Sequence, residues 1–316
     1  MTKTNRPRAP AVGPDPGRPF DRHLLRMRRD RAAAGFDRVS FLLRTAAEQL
    51  VDRLADTTRR FDRALVLGAH TGLVTPLLAA SDKVGMIFSS DASLRMTARG
   101  SGMRLVADEE ALPFADAAFD LIVSPLVLHW VNDLPGALVQ CRRCLRPDGL
   151  FLAALLGGDT LAELREATLV AESEVTGGAA PRVAPFAAVR DLGGLLQRAG
   201  LALSVADSDR LAVRYRDPFA LMNEIRAMGG ANAPATGPGR PMRRDVLRRT
   251  AEVYAERFAD PDGRIRATFE IVYLTGWAPH ESQPKPLAPG SARTRLADAL
   301  GTVERTAGDK AGPPRR

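Results

Sequence analysis

The residues in this sequence best placed to do chemistry stand at the ends of short apolar runs. Ala64-Leu65-Val66-Leu67 runs into the turn Gly68-Ala69-His70-Thr71-Gly72. A glycine turn between a strand and a helix lets backbone approach a ligand, and the free N–H groups at the helix start can hold a carboxylate. Asp91 closes the next apolar run, where an acid can accept from both hydroxyls of a ribose. Asp108 and Glu109 close the third run, where an acid can accept from the amino group of an adenine, and Ser124 ends the fourth. Any one of these could simply cap a helix. The ordered set describes a cradle for a nucleoside cofactor with a carboxylate at its far end.

A second group lies on the side where the acceptor of a reaction would enter. His129 and Trp130 follow the fourth run, and ligands of open α/β sheets bind at such carboxyl ends. His129 could be a base or a hydrogen-bond donor there, and the pair could equally be a packed aromatic corner. Asp159 and Thr160 leave the fifth run on the same side, as substrate contacts or as a helix cap. His280 and Glu281 follow the last apolar run and are the polar residues of an otherwise plain exit. Four histidines with no His-x-Asp/Glu spacing give no metal site. Cys141 and Cys144, at i and i+3, read as small core residues rather than a redox pair.

The elements that must position these residues alternate. Residues 20–60 are expected to be helical, an amphipathic cover with Leu43, Ala46, Ala47, Leu50 and Leu54 on one face. Strands are expected at 64–67, 84–88, 104–107, 119–123 and 149–156, with helices at 74–80, 93–99 and 135–144 between them. Strands alternating with helices imply a parallel sheet. Helices at 161–171, 189–198, 218–228 and 242–258 and strands at 201–215 and 266–277 follow, the first of these strands with a polar interruption at 207–209. The domain is expected to run over 61–283, with insertions at about 157–185 and 217–262 and disordered tails at 1–19 and 284–316.

The segments Gly68 to Gly72, Asp108-Glu109-x-x-Leu112-Pro113-Phe114, Phe119-Asp-Leu-Ile-Val-Ser124 and Leu145-Arg-Pro-Asp-Gly149 resemble class I methyltransferases. The resemblance implies a Rossmann-like α/β fold, a seven-stranded mostly parallel sheet with helices on both faces and a helical insertion. It implies S-adenosyl-L-methionine as cofactor, held by Gly68, His70, Gly72, Asp91, Asp108, Glu109 and Ser124. The sequence departs from the family where Val66 replaces an acid and His70 replaces the middle glycine. A narrower resemblance rests on Phe20-Asp-Arg22, Leu128 to Pro135, Gly157 to Arg165 and Gly276 to Gln283. These segments are similar to the complex I assembly factor 5 family in a bacterial-type version. That family implies hydroxylation of an arginine on a complex I subunit, and hence a protein substrate. Its late loop has an acid after Met-Gly, where Gly230 follows Met228-Gly229 here. Two alternatives stay open: methyl transfer, as in the malonyl-carrier-protein O-methyltransferases, and a non-catalytic assembly factor.

Composition bounds the rest. The 316 residues carry a net charge of +8, but residues 1–60 hold 14 basic and 7 acidic side chains and residues 285–316 hold 7 and 3. The middle is slightly acidic, which argues against specific nucleic-acid binding and leaves peripheral membrane contact through the ends open. Two cysteines fit a reducing, cytoplasmic compartment. No run approaches the ~20 apolar residues of a transmembrane helix. The first 20 residues hold five prolines and no apolar segment, which is unlike a secretory signal.

Overall fold

The computed structural model describes residues 17–236, 241–284 and 296–303. Residues 1–280 form one compact unit and 281–316 a second. Among the described residues of the second unit is a short helix, Leu296–Leu300, inside the segment expected to be an unstructured tail. Most of the expected leading tail lies outside the described residues.

Among its described residues the first unit holds seven strands: β1 (Phe61–Leu67), β2 (Val84–Asp91), β3 (Met103–Val106), β4 (Phe119–Pro125), β5 (Leu145–Leu156), β6 (Ala202–Tyr215) and β7 (Ile265–Trp277). Their order is β3-β2-β1-β4-β5-β7-β6, with β1 to β5 parallel and β7 antiparallel to both its neighbours. Ala64 to Leu67 are all fully buried because helices cover both faces. The period-2 alternation of the strand sorts them. Ala64 and Val66 face one core with Leu43, Ala46, Leu50 and Leu54. Leu65 and Leu67 face the other with Leu138, Cys141, Leu192 and Leu196. Both cysteines are free and fully buried, and burial pushes the Cys141 thiol up.

The helices are α1 (Arg22–Ala32), α2 (Phe41–Ala55), α3 (Val74–Ala79), α4 (Leu94–Arg99), α5 (Leu134–Cys144), α6 (Ala162–Thr176), α7 (Val189–Arg198), α8 (Pro218–Ala227) and α9 (Arg244–Phe258). The expected continuous cover over 20–60 is therefore two helices, separated by a single 3-10 turn over Phe36–Val39. Gly35 is the physical reason for the break, since glycine inside a helix costs about 1 kcal/mol relative to alanine. The break lets α1 turn away from the sheet face covered by α2 and lie across the carboxyl ends of the strands. β6 passes through Asp207 to Asp209 without interruption. It is an edge strand, and charge on an edge is tolerated because one side faces water. α6 runs five residues beyond its expected end, to a left-handed Gly177 with φ 72°.

These packing roles separate by substitution. Leu50→Ala, in the core between α2 and the sheet, is expected to lower unfolding free energy by about 2–5 kcal/mol. Leu169→Ala, on the exposed side of α6, should change it by less than about 0.5 kcal/mol. Urea unfolding of the two variants beside the parent checks both.

Candidate active site

The glycine turn leaves β1 with Gly68 at φ 77° and Gly72 at φ 88°. A Cβ on Gly68 would strike the Val127 side chain at 2.3 Å, and one on Gly72 would meet Gly100 Cα at 2.9 Å. Both glycines are thus required by neighbouring chain as well as by turn geometry. Between them His70 is itself left-handed, at φ 51°. Its backbone N–H donates to Asp91 Oδ2 at 2.9 Å, and its Nε2 lies 3.0 Å from Pro125 O. A carbonyl can only accept, so Nε2 carries the hydrogen and Nδ1 accepts from Arg29 Nη2 at 3.3 Å. The ring stacks on Phe36 with centroids 5.2 Å apart. Burial, and then the Arg29 charge, push its pKa down to about 4, so the imidazole is neutral at pH 7.

Asp91 ends β2 and is 1% exposed. Its carboxylate accepts from Arg29 Nη2 at 2.5 Å, His70 N at 2.9 Å and Ser93 N at 2.8 Å. Beyond β3, Asp108 pairs with Arg22 at 2.6 Å and Glu109 pairs with the same guanidinium. Burial works against the charge of Asp108, but the Glu110 N–H and Arg22 outweigh it and hold its pKa below the usual range. Glu109 is 1% exposed, and burial raises its pKa despite Arg22. The three acids expected at the strand ends are therefore together in one cleft, and two arginines of α1 occupy it. Asp30 of α1 adds a further tie, accepting from Ser93 Oγ at 2.5 Å and Arg95 N at 3.1 Å.

Arg22, Arg29 and Phe36 were missed as site residues. A signal was present: positions 22, 25, 29 and 32 form one helical stripe that holds Leu25 and Ala32, with arginines at the other two places. Arg29 is 8% exposed on that stripe. A buried arginine must find a charge partner, and the strand-end acids are the partners it found.

Arg29 and Trp130 line two cavities at once. The smaller, about 290 Å³, lies beside Arg22, Ala92, Glu109 and Val127. The larger, about 690 Å³ with its solvent-open part included, is walled mainly by apolar groups such as Leu126, Leu156, Phe186 and Phe269. His129 lines the larger one. It lies near Trp130 and meets Phe186 edge-on, each with centroids 5.3 Å apart, while Trp130 packs edge-on against Phe20 at 5.2 Å. Burial, and then the neighbouring His70 and Arg29, push the His129 pKa down to about 3. His129 and Trp130 form a packed aromatic corner, and that corner lines the larger cavity.

The remaining expected residues are placed differently. Ser124 is fully buried and its hydroxyl donates to Leu67 O at 3.1 Å, a tie between β4 and β1 that lines no cavity described here. Thr160 lines the larger cavity but is fully buried, its hydroxyl donating to Glu270 O and accepting from Glu270 N, both at 3.1 Å. Asp159 is half-exposed and paired with Arg210 of the edge strand. His280 follows β7, whose last residue, Trp277, pairs with Leu150 in the first half of β5. Because β7 is antiparallel, His280 leaves the sheet at the end opposite to the acid cleft, and Glu281 begins the second unit. The structure does not bring His280 to the site.

The set of residue types at the strand ends fits the cofactor that the sequence implies. It offers Asp91 for a ribose and Asp108 and Glu109 for a base. Glu109 Oε1 and Arg29 Nε are buried polar atoms with no partner in the protein, as expected of groups facing a polar ligand. Arg29 must leave Asp91 for both ribose hydroxyls to be received.

Comparisons with known proteins agree with this fold. A family profile described as a methyltransferase domain matches residues 65–153. The arginine-hydroxylase NDUFAF5 of Homo sapiens is 40% identical over 291 residues, covering 90% of this chain and 84% of its own. That of Danio rerio is 38% identical and covers 88% of both chains. The malonyl-[acyl-carrier protein] O-methyltransferase of Halorhodospira halophila is 33% identical and covers 84% of this chain and 91% of its own. Among solved structures, the YcgJ protein of Bacillus shares the fold with a TM-score of 0.52 at 17% identity, over 75% of this chain and 99% of that one.

The buried imidazole of His70 carries a pH prediction. Its pKa is about 4 in the folded protein against an ordinary 6.5, so the unfolded chain binds the extra proton between those values. Its contribution to stability is whole above pH 6.5 and is lost as pH falls toward 4, at up to about 1.4 kcal/mol per pH unit. His70→Gln keeps a donor for Pro125 O but does not titrate. Between about pH 7 and about pH 5 it should lose roughly 1–2 kcal/mol less than the parent in urea unfolding.

Proposed function

This chain belongs to the family of the arginine-hydroxylase NDUFAF5, and on that premise we propose that it binds S-adenosyl-L-methionine and modifies a side chain of a protein substrate. The observation that carries the cofactor is the convergence of Asp91, Asp108 and Glu109 on one cleft beside the glycine turn. Asp91 would hold the ribose, Asp108 and Glu109 the adenine, and the N–H groups of the turn the methionine carboxylate. The bound cofactor supplies a methyl group on a positively charged sulfur. Arg22 and Arg29 give up the acids as it binds.

The larger cavity would receive the acceptor side chain. Its apolar walls exclude water and strengthen the few polar contacts inside. His129 is neutral at pH 7, and its Nδ1 lies 3.4 Å from Leu156 N–H. With Nδ1 turned to that donor, Nε2 carries the hydrogen, and His129 orients the acceptor as a donor rather than removing its proton. The reaction proposed is hydroxylation of an arginine, as the relatives are named. The methyl sulfonium carries no oxygen, so dioxygen and a two-electron reductant from outside this chain would supply the inserted oxygen atom and release the second as water. A complex I subunit in the cytoplasm is the substrate that the family resemblance implies. Methyl transfer is the second reading, favoured by the 33% identity to a malonyl-[acyl-carrier protein] O-methyltransferase over 84% of this chain.

Calorimetric titration with S-adenosyl-L-methionine tests the cofactor. Asp91→Ala removes the acceptor for two hydroxyls and should weaken binding by about 100-fold or more. Equal binding by parent and Asp91→Ala would overturn the site. Mass spectrometry of partner proteins then separates the reactions: one added oxygen on arginine supports hydroxylation, and one added methyl with S-adenosylhomocysteine supports transfer.

A further inference from the structure

A second cleft opens between the C-terminal ends of α1 and α8. Gly229 joins the two: a Cβ there would meet Arg29 Cα at 3.3 Å and Ala32 Cβ at 3.4 Å. Arg28, Arg31 and Arg226 line the cleft beside Asn223 and Ala231, and no carboxylate does. Several exposed arginines elsewhere are answered by acids, as Arg214 is by Asp260 and Asp262, and Arg249 by Glu174 and Glu256. Here they are not. Arg28 spends its guanidinium on Ala231 O and Asn232 O, and burial followed by the Arg31 charge lowers its pKa. Arg226 bonds only the neutral Asn223 Oδ1 at 2.8 Å. Arg31 is exposed and makes no ion pair among the described residues. Each helix ends here in its last turn, and the partial negative charge of two helix C-termini makes such a cluster tolerable without neutralising it.

The cleft adjoins the reaction cavity. Gly229 lines both, and Arg226 and Ala231 are shared with an intermediate pocket that in turn shares Phe186, Ile225 and Gly230 with the reaction cavity. We propose that this arginine cleft is the docking surface for an acidic segment of the protein substrate, Asp- or Glu-bearing, which lies beside the residue delivered to the cavity. The proposal rests on the reading of a protein substrate given above. Peptide chemistry fits better than nucleic acid: the cleft is short, holds no aromatic platform for stacking bases, and leads to a side-chain-sized apolar cavity. Carboxylates match guanidinium forks, and unpaired charge at a rim chiefly steers encounter and selects partners.

The test uses the full-length protein and a labelled oligo-glutamate peptide, followed by fluorescence anisotropy at low and physiological salt. Arg31→Glu/Arg226→Glu should weaken peptide binding about tenfold or more. Arg28 is left in place because it also holds the 231–232 backbone. A control, Arg60→Glu/Arg248→Glu, makes the same change of net charge at exposed arginines whose acid partners are distant, at 3.7 and 3.6 Å, and should stay within about threefold. Equal losses in the two variants would reduce the effect to net charge and overturn the proposal. So would tighter, cleft-dependent binding of a single-stranded RNA or of phosphatidylserine vesicles than of the peptide. Titration of the same preparations with S-adenosyl-L-methionine separates the two readings. Peptide binding lost in the cleft variant supports docking even where no cofactor binds, whereas a cleft variant that keeps the peptide and also binds cofactor overturns docking alone.

Discussion

The pair between Arg29 and Asp91 is the contact on which the arrangement of this protein depends. Both groups are buried, 2.5 Å apart, and they join α1 to the carboxyl end of β2. Breaking such a pair by removing one partner typically costs about 3–5 kcal/mol, because the other charge is left in a medium that cannot solvate it. That cost fixes where α1 lies. The position of α1 then places Arg22 on Asp108 and Glu109, builds the partition between the two cavities, and gives His70 the donor that sets its tautomer. One ion pair thus organises the cleft, the wall and the charge state of the glycine turn.

The same pair makes the cleft exchangeable. Arg29 Nε and Glu109 Oε1 lack partners, so the closed arrangement leaves two buried polar atoms unsatisfied, each at a penalty of about 1–3 kcal/mol. A ligand offering a hydrogen-bond donor to Glu109 and an acceptor to Arg29 would meet those needs, and its hydroxyls would take the place of Arg29 on Asp91. The opposite wall is built to stay. Thr160 and Glu270 exchange backbone and hydroxyl hydrogen bonds, and Glu270 Oε2 also accepts from Asp159 N at 3.0 Å. The site therefore joins a rigid floor on β7 to a helix held mainly by charge.

The sheet was legible in the sequence because its strands are short apolar runs ending at glycine or acid, and each such ending marks the carboxyl end of a parallel strand. Asp91, Asp108 and Glu109 were readable for that reason. The positions that misled were those where tertiary context outweighs local pattern. Gly35 divides a run that periodicity reads as one helix. Ser124 ends β4 as expected but turns its hydroxyl into the sheet, to Leu67 O. His280 follows the last strand like a site residue, yet the reversed direction of β7, which no local signal announces, carries it to the far end. Arg22 and Arg29 were hidden among the many arginines of α1, and only their places on its buried stripe distinguish them.

Val66 and His70, the departures in the glycine turn, are explained by the same economy. Val66 is fully buried in an apolar cluster with Leu43, Ala47 and Leu50, so an acid there would be a carboxylate without a partner in the core. His70 fills the left-handed position that a glycine would leave open and ties it down on three sides, through Phe36, Pro125 O and Arg29. The acid that β1 lacks is not replaced on β1. The polar groups of the cleft come instead from the ends of β2 and β3 and from α1, two fixed elements and one held by ion pairs. A turn stiffened by histidine and a cleft charged from the neighbouring strands are two parts of one solution, in which β1 from Ala64 to Leu67 is free to be core.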